Sequence, residues 1–148
     1  MSAPRLTPGT TVTAPFRAMT RERMRWYVDA QPTIAADDGR IHTQEPTIHD
    51  DDDYARAQGL PGIIADGMVS TNWLQGLLID VFGPGVTGRS RLRTKYIAPV
   101  YENDRIRPVL EVLSCVEEAG GATAVACKVW CEDDGGRIVT VGEATVWV

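Results

Sequence analysis

Hydrophobic residues follow two different periods along this chain, and the change falls near Gly83. Thr and Val alternate over residues 10–16, which predicts a short strand. Thr20 then stands where an N-cap stands, ahead of a helix over 21–28. In that helix Met24, Tyr27 and Val28 recur at i, i+3, i+4 and form one buried stripe, with Arg21, Arg23 and Arg25 facing water. Residues 31–47 have no period and are broken by Pro32, Gly39 and Pro46, so a long loop is predicted, and loops of that length in a compact domain usually carry function. Asp50 to Asp53 open a further helix reaching Ala57, since carboxylates are stabilised by the free N–H groups of a first helical turn. Gly59, Pro61 and Gly62 turn the chain into a helix over 68–82, with Met68, Thr71, Leu74, Gln75, Leu78 and Phe82 on one face. Val69, Trp73, Leu77 and Val81 carry its apolar surface most of the way round, so it is expected to be enclosed by other structure.

After Gly83-Pro84-Gly85 the pattern is that of strands, over 89–97, 105–118, 122–132 and 137–148. The Gly120-Gly121 and Asp133-Asp134-Gly135-Gly136 separators read as hairpin turns, which make their flanking strands antiparallel. One long apolar helix preceding such strands covers a face of their sheet, so the class is α+β, a curved antiparallel sheet around a central helix. Trp26, Trp73, Trp130 and Trp147 lie in elements with apolar periodicity and are expected in the core or at an interface.

Composition narrows the function. The 148 residues are 43% apolar and 24% charged, enough for one core, and a single domain over 1–148 is expected. The net charge of −5 argues against a general attraction to nucleic acid or anionic lipid. No apolar run approaches the roughly 18 residues of a membrane span, and residues 1–8 lack the apolar core of a signal peptide, so a cytoplasmic location is expected. Cys115, Cys127 and Cys131 have no CxxC spacing and read as small apolar residues in a reducing compartment, with no histidine near enough to complete a metal site. Four adjacent aspartates lack the alternate spacing and the turn glycine of a calcium loop, so capping is their expected role and no metal is expected.

The segment 46–68 reads PTIHDDDDYARAQGLPGIIADGM. It resembles the MaoC-like family of hot-dog-fold hydratases and dehydratases, whose signature runs D-x-N-P-[LIV]-H-x-D-x-x-[YF]-A, then a Gly-rich turn, then an apolar stretch ending in G-M. Ile48-His49, Asp51, Tyr54-Ala55 and Gly67-Met68 match in order and spacing, and a Pro-Val corner follows at Pro99-Val100. The resemblance implies a single hot-dog domain and hydration or dehydration of an enoyl thioester. In that chemistry an Asp and a His hold and activate a water, or move a proton between Cα and the hydroxyl, while backbone N–H groups polarise the thioester carbonyl.

The departures from the pattern are specific. The family's catalytic Asp, five residues before the His, is Gln44 here, and its Asn-Pro pair falls on Pro46-Thr47. Gln44 can orient a water but cannot take a proton, so another carboxylate must replace the acid. Glu45 is nearest in sequence, with Asp50 and Asp51 behind it, and His42 is an alternative second base. His49 is the imidazole that the resemblance places in the cleft, where a near-neutral side chain can accept or donate a proton. Gly67, at the start of the central helix, is the expected oxyanion donor, flanked by Met68 and by Asp66, which stands where the family's A-H-G version has His. A tight turn into the helix explains Gly67 equally well.

Arg89, Arg91, Arg93 and Lys95 share one face of a strand, opposite Leu92, Thr94 and Tyr96. Arg91 and Arg93 are candidate contacts for the phosphates of coenzyme A or a phosphopantetheine arm, and a solvated, aggregation-deterring face is the alternative. Three functions remain open: a hydro-lyase acting on an acyl-CoA or acyl-carrier thioester, a catalytically altered partner subunit or thioester binder of the same fold, and a thioesterase. No cofactor is expected. The resemblance implies a homodimer, with a heteromer formed with a paralogue as the variant.

Overall fold

The computed structural model describes residues 6–30 and 46–148. His42, Gln44, Glu45 and most of the predicted loop over 31–47 lie outside the described residues.

The elements run β1 (Thr11–Thr13), β2 (Arg17–Ala18), α1 (Arg21–Ala30), α2 (Asp52–Ala57), α3 (Gly67–Phe82), a 3₁₀ turn (Pro84–Gly88), β3 (Ser90–Tyr96), β4 (Arg105–Glu117), β5 (Thr123–Asp133) and β6 (Ile138–Trp147). All pairings are antiparallel, in the order β1-β4-β5-β6-β3, and β2 also pairs with β4. The two predicted hairpins form, and their turns use left-handed glycines, Gly120 and Gly121 in one and Gly136 in the other. Register shifts at Val112/Ser114 and Cys131/Glu132 bend the sheet, as bulges do.

The inner face of the sheet supplies Ile106, Leu110, Val112, Cys127, Val129, Cys131 and Val146 to one core with Val69, Leu74, Leu77 and Leu78 of α3. The outer face carries a charge ladder. Glu111, Lys128, Glu143 and Arg93 are successive register partners across β4, β5, β6 and β3, so each charge sits beside opposite ones. Arg93 closes it with an ion pair to Glu143 at 3.7 Å.

Three expectations need correction. The strand over 10–16 is two short pieces, because the register moves from Thr13 opposite Val109 to Arg17 opposite Ile106, with one extra residue on the first strand. Pro15 and Pro108 both lack the N–H that would continue the ladder there. Arg21 and Arg23 are not simply solvated. With Met24 and Val28 in the core, the start of α1 is brought against α2 and the turn before β4, where Arg21 pairs with Asp52 at 2.9 Å and Glu102 at 2.6 Å. Arg23 donates to the Ala18 carbonyl. Nor is α3 enclosed. The sheet covers one side of it, burying Val69, Ser70, Leu74, Leu77 and Leu78, while Met68, Asn72 and Asp80 are exposed. Only Leu74 and Leu78 of the face expected to pack are fully buried. Of the two places expected for the tryptophans, Trp26, at 66% exposed, is not in the core.

Among the described residues no helix is long and apolar enough to cross a membrane, and no group of three or more His, Cys, Asp or Glu side chains converges as a metal site would require. Burial pushes the Cys127 thiol up to about 11 and the Cys131 thiol up to about 12, so both behave as apolar core residues.

Candidate active site

The four aspartates that open α2 each have a defined task. The Asp50 carboxylate accepts the Thr47 N–H at 2.7 Å and its hydroxyl at 2.9 Å, closing a turn. Asp51 is the N-cap and accepts the Tyr54 N–H at 2.7 Å. Asp52 accepts the Ile63 N–H at 3.1 Å besides pairing with Arg21, and these bonds hold its carboxyl below the ordinary aspartate range, Arg21 contributing most. Asp53 is exposed beside Arg56. This is the capping arrangement expected from sequence, and it commits Asp50 and Asp51 to the backbone.

That turn presents His49. Thr47 Oγ1 accepts the His49 N–H at 3.1 Å, and the Ile48 carbonyl accepts the Ile64 N–H at 3.0 Å. In return His49 Nδ1 lies 2.9 Å from the Ile64 carbonyl. A carbonyl only accepts, so Nδ1 carries the proton and, in the neutral ring, Nε2 keeps its lone pair. The segment that anchors the ring is itself held by the Ala65 N–H to the Val100 carbonyl at 2.8 Å and by a bridge between Ile64 and Tyr101.

Two residues further on, α3 begins. The Asp66 carboxylate caps it, accepting the Met68 N–H at 2.8 Å, and the Asp66 carbonyl accepts the Val69 N–H at 3.0 Å. The cap therefore does not use the N–H of Gly67, the first residue of the helix, where the positive end of the dipole is strongest. His49, Asp66, Gly67, Ser70, Tyr96 and Thr140 line one cleft of about 540 Å³, walled otherwise by apolar residues such as Leu60, Ile97 and Val100. The charge of Asp66 reaches Tyr27, whose phenol is pushed up mainly by burial and further by that carboxylate.

His49, Asp66 and Gly67 thus come together. Met68 does not line the cleft: its side chain is exposed and its sulfur accepts from the Tyr96 hydroxyl at 3.1 Å. Arg91 and Arg93 alternate with Leu92 and Thr94 and point to the outer face, away from the cleft. Tyr96, Ser70 and Thr140 were not singled out from sequence. Tyr96 had a signal, since it alternates with the cations of β3 and so belongs to the face that α3 covers. Ser70 had one too, lying three residues after Gly67 on the same helix side.

The family model for the MaoC like domain matches residues 46–129, a span that runs from the His49 turn through α3 into β5. The chain belongs to this family. Its hot-dog fold is shared by an (R)-hydratase, PhaJ1, from Pseudomonas aeruginosa, at a TM-score of 0.74 and 19% identity over 95% of this chain and 81% of that one. An (R)-hydratase of A. caviae involved in PHA biosynthesis superposes with a TM-score of 0.73 and 18% identity over 97% and 98% of the two chains. The truncated HadBC complex of Mycobacterium tuberculosis, a 3R-hydroxyacyl-ACP dehydratase, matches with a TM-score of 0.72 and 19% identity over 95% and 96%. Comparison with curated protein sequences gave no match. At these identities the solved structures establish the fold, and within the MaoC-like chain the chemistry rests on the cleft itself.

Proposed function

We propose that this MaoC-like chain is a hydro-lyase that adds water to an α,β-unsaturated acyl thioester, or removes it from a 3-hydroxyacyl thioester, of coenzyme A or a carrier protein. The observation that carries this reading is the His49 Nδ1–Ile64 carbonyl bond, which leaves Nε2 as the acceptor of a residue that lines one cleft with Gly67, the first residue of α3. In the forward reaction Nε2 takes a proton from water as the water oxygen bonds to Cβ. The π electrons move to Cα and the thioester oxygen, whose growing charge is met by the Gly67 N–H and the helix dipole. The imidazolium then returns the proton to Cα and the ring is neutral again. One imidazole moves one proton from oxygen to carbon, and no cofactor is required.

The same reading takes residues 1–148 as one domain, cytoplasmic and homodimeric. Arg91 and Arg93, exposed on the outer face, are taken as contacts for the phosphates of coenzyme A or of a phosphopantetheine arm and not for the acyl group in the cleft. The names of the structural relatives, two (R)-hydratases and a hydroxyacyl-ACP dehydratase, support the reaction class without fixing the acyl group.

A second reading, an altered subunit that needs a paralogue, is favoured by Gln44 and by relatives that are complexes, HadBC and ChsH1-ChsH2. One experiment separates them. The purified chain is incubated with a panel of enoyl thioesters and the loss of enoyl absorbance is followed. Hydration by the chain alone, abolished in His49→Ala, supports the hydro-lyase. Activity only after adding an Asp-containing paralogue supports the altered subunit, and release of free thiol instead points to a thioesterase.

A further inference from the structure

The cleft holds two hydroxyls that the reaction does not use. Among the described residues only two polar side chains are buried, Ser70 of α3 at 3% exposure and Thr140 of β6 at 2%, and both line the cleft. Cys131 brings them to one wall: it is the register partner of Thr140, and its thiol donates to the Ser70 carbonyl at 3.8 Å. Thr140 is also the partner of Tyr96, whose ring packs at Gly67. Ser70 lies three residues along α3 from Gly67, an advance of about 4.5 Å at 1.5 Å per residue. The Tyr96 hydroxyl is committed to Thr71 and Met68, and His49 Nδ1 to the Ile64 carbonyl. Neither Ser70 nor Thr140 has a side-chain hydrogen-bond partner among the described residues, where no side-chain oxygen is both sealed from solvent and unpartnered. Each hydroxyl therefore opens onto the cleft.

We propose that Ser70 and Thr140 form a specificity subsite for an uncharged oxygen, a hydroxyl or a carbonyl, carried by the acyl group beyond Cβ. The inference rests on the hydro-lyase reading above, which sets the thioester carbonyl at the start of α3 and so runs the acyl chain past Ser70. Before substrate binds, water satisfies both hydroxyls. A plain hydrocarbon chain filling this wall expels that water and leaves two buried polar groups unpaired, which costs far more than a made hydrogen bond returns. A substrate oxygen at the same place removes the cost, and sites built in this way discriminate strongly against the analogue that lacks the oxygen. A hydroxyl both donates and accepts, so the pair serves a hydroxyl or a carbonyl equally. No Lys or Arg lines the cleft among the described residues, so a charged substituent finds no counter-ion there.

Saturated thioesters test the subsite apart from the chemistry, because they bind without being hydrated. Hexanoyl-CoA, 5-hydroxyhexanoyl-CoA and 3-hydroxyhexanoyl-CoA are titrated by calorimetry into the full chain and into Ser70→Ala, Thr140→Val and the double variant, with thermal melts of each. The wild type is expected to bind 5-hydroxyhexanoyl-CoA about tenfold or more tighter than hexanoyl-CoA. In the double variant the preference should vanish from both sides, with hexanoyl-CoA binding more tightly and 5-hydroxyhexanoyl-CoA more weakly. A merely structural role would weaken both ligands together, so the gain for the plain chain is the distinguishing readout. Equal affinities in the wild type, or a preference that survives the double variant, overturn the subsite. A preference confined to 3-hydroxyhexanoyl-CoA assigns the two hydroxyls to the reacting oxygen and overturns it as well. If the 5-hydroxy preference holds but the matching enoyl thioesters are not hydrated, the subsite stands and the hydro-lyase reading falls; a chain that binds none of the three thioesters overturns both.

Discussion

The ring of Tyr96 occupies the space that a side chain at Gly67 would need. A Cβ placed at Gly67 would lie 2.5–2.6 Å from three ring carbons, Cγ included, so the conflict is with the rigid root of the ring and not with a flexible tip. The hydroxyl is fixed as well, within 2.8 Å of Thr71 Oγ1, which also meets Thr94 Oγ1 at 2.8 Å. The absence of a side chain at the start of α3 is therefore explained by a neighbouring aromatic ring, beyond any need for a ligand to approach the backbone. Gly67→Ala is expected to destabilise the protein by about 1–3 kcal/mol, the usual cost of overpacking. Tyr96→Ala should remove most of that penalty, so the double variant melts well above the additive expectation. Additive losses would show that the ring is not what requires glycine.

Asp50 acts on His49 at one remove. Its carboxylate closes the turn through Thr47, and the Thr47 hydroxyl oxygen receives the His49 N–H. Asp50→Ala should slacken the turn and lower kcat about tenfold, with Asp50→Asn, which keeps an acceptor, closer to wild type. Equal activity of both variants and the wild type would mean that the Ile64 anchor alone holds the ring.

The parts of this molecule that could be read from sequence are those fixed by neighbours in the chain. His49, Asp51 and Gly67 fall within one contiguous motif, the aspartates cap the helix they precede, and the alternation on β3 separates cations from the face bearing Tyr96. What escaped depends on distant partners. Arg21 is bound to Glu102, 81 residues away, and nothing in a helix's own periodicity distinguishes such an arginine from a solvated one. The reason for Gly67 lies on β3. That Arg91 and Arg93 stand away from the cleft needed the side of the sheet on which α3 packs.

The three thiols should separate by burial. Cys115 is exposed, whereas burial pushes Cys127 up to about 11 and Cys131 up to about 12. At pH 8 the native chain should react with an aromatic disulfide reagent at one thiol and release the signal of all three only in denaturant. Cys115→Ser should abolish the native reaction. Fast modification of a second thiol would show that the sheet opens at β5.

Stability should fall in acid through two tied carboxylates. Arg21 and the Ile63 N–H hold Asp52 below its ordinary range, and the Trp130 indole N–H, with Arg107, does the same for Glu132, at 2.8 Å and 2.6 Å. A carboxylate with a folded pKa lower than its unfolded one stabilises the fold fully above the unfolded value. It loses that contribution as pH falls through the folded value. Both contributions are therefore complete at pH 7 and decline from about pH 4.5 downward. Glu132→Gln, which breaks a bond network stacked beside Phe16, should cost about 1–2 kcal/mol at pH 7. Asp52→Asn should lower Tm at the same pH. In both cases the gap to wild type should narrow as the pH falls through the lowered folded values, where the native carboxylates become protonated as well. A gap that stays unchanged over the whole acid range would show that the loss comes from packing and not from charge.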